Sequence, residues 1–453
     1  MLVVDRPAIA GVHLRPEPGK QIRVGTLMRD DSGVVTFVVD EGYIALGPDR
    51  PIVSMAWRGA DEADSISRLR ARGDKIMQGG LLPAFFQNMM PEGALRELVA
   101  KEFVHGAFDS FDVAVKLGGD LPGAIVITHE AGKLPRQARR DEPAPQLEEN
   151  KPVANVRFSL AGIHLKFSAD TVDRKSITVP AMGSEGEIIL KTPSKQFQSL
   201  PEVEFTSMKL AGAAGVRTAD FWLVESDKVS GVPEEYMSYG PYALAVKRFD
   251  RQPGGRRIQI EDFAQIFGAL PDAKYVTGNE ATVLNAVRRF CTDSRGELLE
   301  ATRRLMVSIL VGDGDRHLKN TSLIYRETEM GQTASLTPAY DVVSTALFLD
   351  NRMALKFGGS DDPWRFDTGK FERAAGLLKV EPKVLLKEAK RTVERARDTW
   401  PAVLRDMPIP KAWKEQIVNR IAKLPLANEL SPKPVRGVEF PEDEVEPSAA
   451  PKP

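Results

Sequence analysis

The chain has a single cysteine, Cys291, in 453 residues, so no internal disulfide can form and no cysteine-based zinc framework exists. Histidine is scarce too. His13, His105, His129, His164 and His317 form no H-E-x-x-H and no close pair, which leaves zinc chemistry without a ligand set. No stretch reaches the ~18 uninterrupted apolar residues of a membrane span. The opening "MLVVDRPAIAGVHLRPEPGK" carries Asp5 and no sustained apolar region, unlike a secretory signal. Neither sign of charge dominates: 62 Lys plus Arg oppose 63 Asp plus Glu, so no global field draws the chain to nucleic acid or membrane. A G-x-S-x-G elbow is also missing, which removes the simplest serine-hydrolase reading. A reducing, cytoplasmic setting without membrane contact is expected.

What is present divides into segments, and the length alone predicts two to three domains of roughly 100 to 200 residues each. In "IRVGTLMRDDSGVVTFVVDEGYIALG" a "DDSG" turn separates two β-branched runs, the pattern of a hairpin. The following "QGGLLPAFFQNMMPEGALRELVA" turns helical, with Pro91 near a helix start, so residues 1–131 read as an α+β unit. Residues 132–152, "GKLPRQARRDEPAPQLEENKP" with its neighbours, have the Pro-rich, charged composition of a linker. Residues 153–252 are strand-rich, with "NVRFSLAGIHLKFSAD", "SITVPAM", "GEIILKTP" and "YALAVKRFDR" around one helix, "LPEVEFTSMKLAGAAGV", that should stop at Gly215. Residues 253–428 are mostly helical, from "EDFAQIFGAL" to "PKVLLKEAKRTVERARDTWPAVLRD", interrupted by strand-like "SLIYRE" and "ASLTPAYDVVS". The Pro-rich, acidic tail 429–453 is expected to be disordered. The basic run "KEAKRTVERARDTW" is interleaved with acids and reads as a solvated helix face rather than a DNA contact.

A strand-rich lobe running into a helical lobe suits a nucleotide cleft, and four short segments carry the chemistry such a cleft needs. In "VGDGDRHLKN" Asp315 and Asn320 follow an apolar helix and precede a strand. Phosphoryl transfer uses that spacing, an Asp to orient and deprotonate the attacking hydroxyl and an Asn five residues on for Mg²⁺. Alone, the run is equally a solvated turn, and Asp313 competes for the base role without the right spacing. Asp341 in "LTPAYDVVS" sits where a second acid would bind Mg²⁺, though a helix N-cap explains it as well in isolation. Lys191 ends the apolar strand "EIILKTP" and is placed to neutralise phosphate charge, with Glu204 at the interval for a holding partner. A solvated strand end is its plain alternative. In "SLAGIHLKFS", Ser159 precedes a turn of Leu160, Ala161, Gly162, Ile163 and His164, with Lys166 behind. Its amides suit phosphate cradling, and a simple β-turn explains the segment equally well.

Assembled, these segments resemble the HipA family, serine/threonine kinase toxins of bacterial toxin-antitoxin pairs, up to about residue 428. "GGLLPAFFQNMMPEGALRELVAKEF" is similar to the family's L-P-x-F-x-x-x-x-P-E-G pattern, "SLAGIHLK" to its S-[LI]-A-G-x-Q-x-K loop, and "MALKFGG" to a later segment. The resemblance implies a two-lobed α+β fold like protein kinases, with an N-terminal α+β subdomain. It further implies ATP and Mg²⁺ as cofactors, Asp315 as base, Asn320 and Asp341 on the metal, and Lys191 on the phosphates. Lys247 and Phe249, flanking Arg248, would meet the adenine, His317 and Lys319 the phosphates, with Tyr340 beside the metal acid. Ser159 corresponds to the serine that family members autophosphorylate. The implied partners are a small HipB-like helix-turn-helix antitoxin, which makes most of the operator DNA contact, and a protein substrate of the aminoacyl-tRNA synthetase class. His164 stands where the family usually has Gln, and Asp313-Gly314 replaces the usual Asn-Thr. A small-molecule kinase and a non-catalytic nucleotide-binding regulator are the alternatives from other classes.

Overall fold

β-Branched and aliphatic runs separated by tight turns build the first sheet in a computed structural model that describes residues 8–102, 108–131, 165–171, 173–180, 185–329 and 331–442. The linker 132–152, the turn from Ser159 to His164 and residues 443–453 lie outside the described residues. The strands are β1 (Ala8–Glu17), β2 (Lys20–Arg29), β3 (Val35–Val39), β4 (Ile76–Met77) and β5 (Ile125–Glu130), ordered β4-β3-β2-β1-β5 and antiparallel throughout. The expected turn between β2 and β3 is built by Asp30, whose Oδ1 accepts the amides of Ser32 (2.9 Å) and Val34 (3.0 Å). One face of the sheet buries Phe37 against Phe86 (ring centroids 4.8 Å), beside Trp57 on Phe85 (5.0 Å). That packing fixes the segment running from Pro83 to Gly93.

The second sheet contains β6 (Lys166–Thr171), β7 (Ile177–Thr178), β8 (Ile188–Lys191), β9 (Phe221–Glu225), β10 (Val229–Ser230) and β11 (Tyr242–Lys247), ordered β10-β7-β6-β8-β11-β9. β8 lies between β6 and β11, with Lys166 directly opposite Lys191 across the ladder. Like charges so placed repel, so an anion is needed between them. The helix Leu200–Ala213 packs on β11 and ends before Gly215, whose φ of +93° suits only glycine, the stop expected from the sequence.

A short ribbon, β12 (Arg251–Gln252) with β13 (Arg256–Arg257), leads to a three-stranded sheet of β14 (Gln259–Asp262), β15 (Ser322–Thr328) and β16 (Gly331–Leu336). The remaining described chain is mainly helical: Glu280–Phe290, Ser294–Val311, Thr368–Leu378, Pro382–Arg405, Lys411–Lys423 and Pro425–Leu430. The basic helix Pro382–Arg405 turns Leu385, Ala389, Val393, Ala396 and Trp400 into one core with Leu305, Phe371 and Ile421. Trp400 donates its indole N–H to the Leu210 carbonyl (2.8 Å), joining this helix to the one behind the second sheet. None of the described helices is long and apolar enough to cross a membrane.

Two local expectations differ from the structure. "EDFAQIFGAL" yields only the helix Phe263–Ile266, because 259–262 pair as β14 and Gly268, at φ +63°, closes the turn. The helix Lys411–Lys423 falls within the helical span 253–428, in a stretch whose individual helix the quoted segments leave unmarked. The start of the tail is not free either. Arg397, almost fully buried, donates to the carbonyls of Ser431 and Lys433 (both 2.6 Å), Arg436 N–H donates to the Arg397 carbonyl, and Val435 and Phe440 rest on the helical core. A buried guanidinium needs acceptors, and the extended backbone provides them.

Candidate active site

The helix Ser294–Val311 ends on Gly312 in the left-handed region (φ 79°, ψ 44°), and its core-facing residues deliver the loop that follows into the cleft between the lobes. Gly314 lies so close to the Arg352 carbonyl that a Cβ would stand 2.4 Å from it, and its amide donates to Thr345 Oγ1 at 2.7 Å. A threonine at 314 would clash there, which is the physical reason for the glycine. The carbonyl of Asp315 accepts the His317 amide (2.7 Å) and Asn320 Nδ2 (2.8 Å), while Tyr275 donates its hydroxyl to Asp315 Oδ1 (3.2 Å). The carboxylate is thereby oriented by a phenol, and no described hydrogen bond engages Asn320 Oδ1. Beside it, Arg316 is almost buried and meets both oxygens of fully buried Glu280 (2.9 and 3.1 Å).

Asp313 is buried behind this loop. Its carboxyl is pushed up to about 8, by burial first and then by the neighbouring charge of Asp315. Since the unfolded group titrates near ~3.9, the folded chain retains an extra proton between about pH 4 and 8, and stability declines as pH rises through that window. Asp313→Asn keeps an oxygen for the Asp315 amide and an amide for Ser308, and has no charge to lose. Its melting temperature should exceed wild type by a margin that widens from pH 5 to pH 8, read from thermal unfolding at several pH values. A constant margin would show that Asp313 titrates normally.

Across the cleft, Lys191 is buried at the end of β8 in contact with Glu204 and Asp341. Burial, with Lys166 acting in the same direction, lowers the Lys191 ammonium to about 8 against the pull of Glu204. Lys166 Nζ reaches the other Asp341 oxygen at 2.8 Å, so Asp341 is the anion required by the facing lysines. Asp341 itself adopts φ +53°, rare for a residue with a side chain and often stored at functional positions. The turn carrying it is anchored on both lobes: the Ala339 amide donates to the Arg217 carbonyl (2.6 Å), the Ser344 amide to Ser207 Oγ (3.0 Å), and the Ser344 hydroxyl to the Val311 carbonyl (2.6 Å).

These residues line two adjoining cavities that share Lys166, Lys191, Lys319 and Asp341. One, of about 240 Å³, also holds Asp315, Asn320, His317 and Glu204. The other, of about 320 Å³, is walled by Ile189, Val246, Ile260, Phe249 and Tyr340, the two rings 5.7 Å apart. A charged half next to an apolar half fits a ligand with a polyanionic end and a flat aromatic end. A larger cavity, about 510 Å³ between Tyr43–Leu69 and the β15–β16 turn, brings together no such set. No group of three or more His, Cys, Asp or Glu able to hold a metal occurs among the described residues. Asp341 and Asn320 are nonetheless hard oxygen donors, and Mg²⁺ takes one or two protein ligands and the rest from water and phosphate, so the pair fits that ion.

Arg248 borders the apolar half, and its guanidinium joins a buried ionic cluster with Asp120 (2.7 Å) and Asp250 (2.9 Å), because an Arg at a strand end next to two acids pairs with them. The Lys247 amide is committed to the Asp220 carbonyl (2.8 Å) inside the sheet. Phe249 and Tyr340 stand in the apolar half, the Tyr340 hydroxyl donating to the Lys319 carbonyl at 2.8 Å. His317 faces the charged half, but burial and the charges of Lys274 and Lys319 hold it well below its usual range, so it contributes as a neutral ring. Glu92, Lys274 and Tyr275 were missed. Glu92 belongs to the quoted "MMPEG" run, where it was read as a marker of the N-terminal unit only. It receives Lys274 (2.6 Å) and Lys319, and their charges hold it down to about 2 although burial opposes them.

The HipA N-terminal domain profile matches residues 19–128, and the HipA-like C-terminal domain profile matches residues 158–400. A Sinorhizobium fredii protein named "Putative kinase Y4dM" is 35% identical over 414 residues, covering 90% of this chain and 94% of its own. A second from the same organism, "Putative kinase Y4mE", is 27% identical over 364 residues, covering 74% and 78%. Among solved structures, HipA of the Shewanella oneidensis MR-1 toxin-antitoxin system, crystallised with HipB and operator DNA, superposes with a TM-score of 0.65 at 19% identity, covering 92% of this chain and 99% of that one. The two-lobed, kinase-like α+β fold expected from the sequence is the fold observed.

Proposed function

From the chain's membership of the HipA family, which both domain profiles establish, we propose an ATP- and Mg²⁺-dependent serine/threonine protein kinase, the toxin of a HipBA-like pair. The observation that carries this reading is the convergence of Lys191, Glu204 and Asp341 from one side of the cleft on Asp315 and Asn320 from the other. In this reading ATP places its base in the apolar half against Phe249 and Tyr340 and its phosphates beside Lys166 and Lys191. Mg²⁺ on Asp341 and Asn320 supplies charge neutralisation to the phosphates. Asp315, oriented by Tyr275, aligns a Ser or Thr hydroxyl and takes its proton as the oxygen bonds to the γ-phosphorus and the bond to the β-phosphate oxygen breaks.

The protein substrate in this reading is an aminoacyl-tRNA synthetase, and Ser159 is the site of self-modification. A HipB-like helix-turn-helix protein is the inhibitor and carries most of the operator contact, consistent with a toxin chain of nearly zero net charge. Incubating the chain with γ-labelled ATP and a cell extract tests the reading. Label should enter protein Ser or Thr, Ser159 included, disappear with EDTA, and be lost in Lys191→Met. Label found only in small molecules would favour a metabolite kinase, and binding without turnover a regulator.

A further inference from the structure

The two halves of the cleft are bordered differently. Lys166, Lys191, Lys319 and Asp341 border both, so a nucleotide with its base in the apolar half enters the charged half past these four residues. Of the two halves, Asp315 borders only the charged one. The space around Asp315 therefore lies beyond the terminal phosphate and is left to the acceptor that receives it.

That space is not wholly polar. Met90, Pro91 and Leu95 from the N-terminal unit, Leu200 at the start of the helix Leu200–Ala213, and Val343 just past Asp341 all border it, and none of them borders the apolar half. Met90, Leu200 and Val343 are buried, while Pro91 and Leu95 are half-buried and keep apolar surface that a ligand can cover. Leu95 is held at the cavity by its helix, Gly93–Glu102, whose Val99, one turn further on, is sunk in the core of the N-terminal unit. Phosphate oxygens gain nothing from an aliphatic wall, whereas an apolar side chain laid on it leaves water. Apolar surface continues at the next loop: Val276 is 72% exposed and directly follows Tyr275, the donor to Asp315 (3.2 Å).

An acceptor Ser or Thr that reaches Asp315 carries its chain neighbours ~3.5 Å per residue away along the backbone. Their side chains are the ones within reach of this wall. Ser159, the proposed site of self-modification, has Phe158 and Leu160 on its two sides in the sequence, an acceptor of the kind such a wall accommodates.

We propose that Pro91 and Leu95 form an acceptor subsite, through which the N-terminal unit selects polypeptide segments with an aliphatic or aromatic residue next to the phosphorylated Ser or Thr. This rests on the reading of the chain as a protein kinase with Asp315 at the transferred phosphate.

The test uses the full chain, with a peptide of its own residues 154–165 as acceptor and a second form of that peptide carrying both Phe158→Ala and Leu160→Ala. Initial rates of transfer give kcat/KM for each. Wild type should favour the parent peptide by about 10-fold or more, the usual scale for apolar groups lost from a pocket. In Leu95→Ala that preference should largely disappear, while ATP dissociation, read by calorimetry, stays at the wild-type value. The ratio of the two peptides does not depend on how much enzyme is folded, so mere damage to the N-terminal unit would slow both and leave it unmoved. Equal rates for the two peptides in wild type overturn the inference, as does a preference that Leu95→Ala leaves intact, ATP affinity lost in that variant, or label that enters proteins but not the parent peptide. A wild-type chain that transfers no phosphate to any protein sinks the kinase reading and this inference together; an active wild type whose preference survives in Leu95→Ala sinks the inference alone.

Discussion

Asp315→Asn should lower the rate of phosphoryl transfer by roughly 10²–10⁴-fold, the range for loss of a positioned general base, with little change in melting temperature. The substitution keeps an oxygen for the Tyr275 hydroxyl and does not touch the backbone carbonyl that accepts from His317 and Asn320, so the loop has no reason to move. What is lost is the proton acceptor. ATP affinity should remain, because the phosphates in this scheme meet Lys166 and Lys191. A variant retaining wild-type transfer would transfer the role of base to another residue, and Asp313 is a poor replacement, being buried and raised to about 8. Growth arrest on induction should be lost in the same variant.

Arg316→Ala should be the most damaging single change to stability within the cleft, by about 3–5 kcal/mol, the usual result of removing one partner of a buried pair. Glu280 has no exposed surface, and its carboxyl is already raised by burial against the opposing effect of Arg316. Without the guanidinium it must take up a proton or remain an uncompensated charge. Glu280→Gln combined with Arg316→Met should recover most of the loss, since no charge is then stranded. Denaturant unfolding of the single and double variants measures both effects. A single variant within about 0.5 kcal/mol of wild type, the scale of an ordinary surface change, would show that the pair does not anchor the loop.

The parts of this architecture governed by local pattern were legible. Turn chemistry at Asp30, the apolar run of β8, the helix ending at Gly215 and the interval between Lys191 and Glu204 all depend on neighbours close in sequence. The rest depends on contacts that periodicity does not encode. Glu92 meets Lys319 across a separation of 227 residues, and nothing near Pro91 announces a carboxylate bound for the cleft. Arg248 borders the cleft as the resemblance implied, and only the packing of Asp120 from the N-terminal unit reveals that its charge is already matched. The tail misled through composition. Its prolines and acids read as unstructured, yet the first part lies along a helix, where the Ser431 and Lys433 carbonyls accept from Arg397.

The buried cluster of Arg248, Arg251, Asp120 and Asp250 has a mechanical meaning. Two lobes joined by a single connection usually swing freely about it. Here the N-terminal unit acts as a strut: it is riveted to the end of β11 by that cluster, and to the opposite lobe by Gln265 on the Phe85 carbonyl (3.0 Å), Glu261 on the Met55 amide (2.6 Å) and Lys274 on Glu92. Opening the jaws therefore requires breaking contacts on one side of the strut, a body that supplies neither the β8 lysine nor the loop of Asp315.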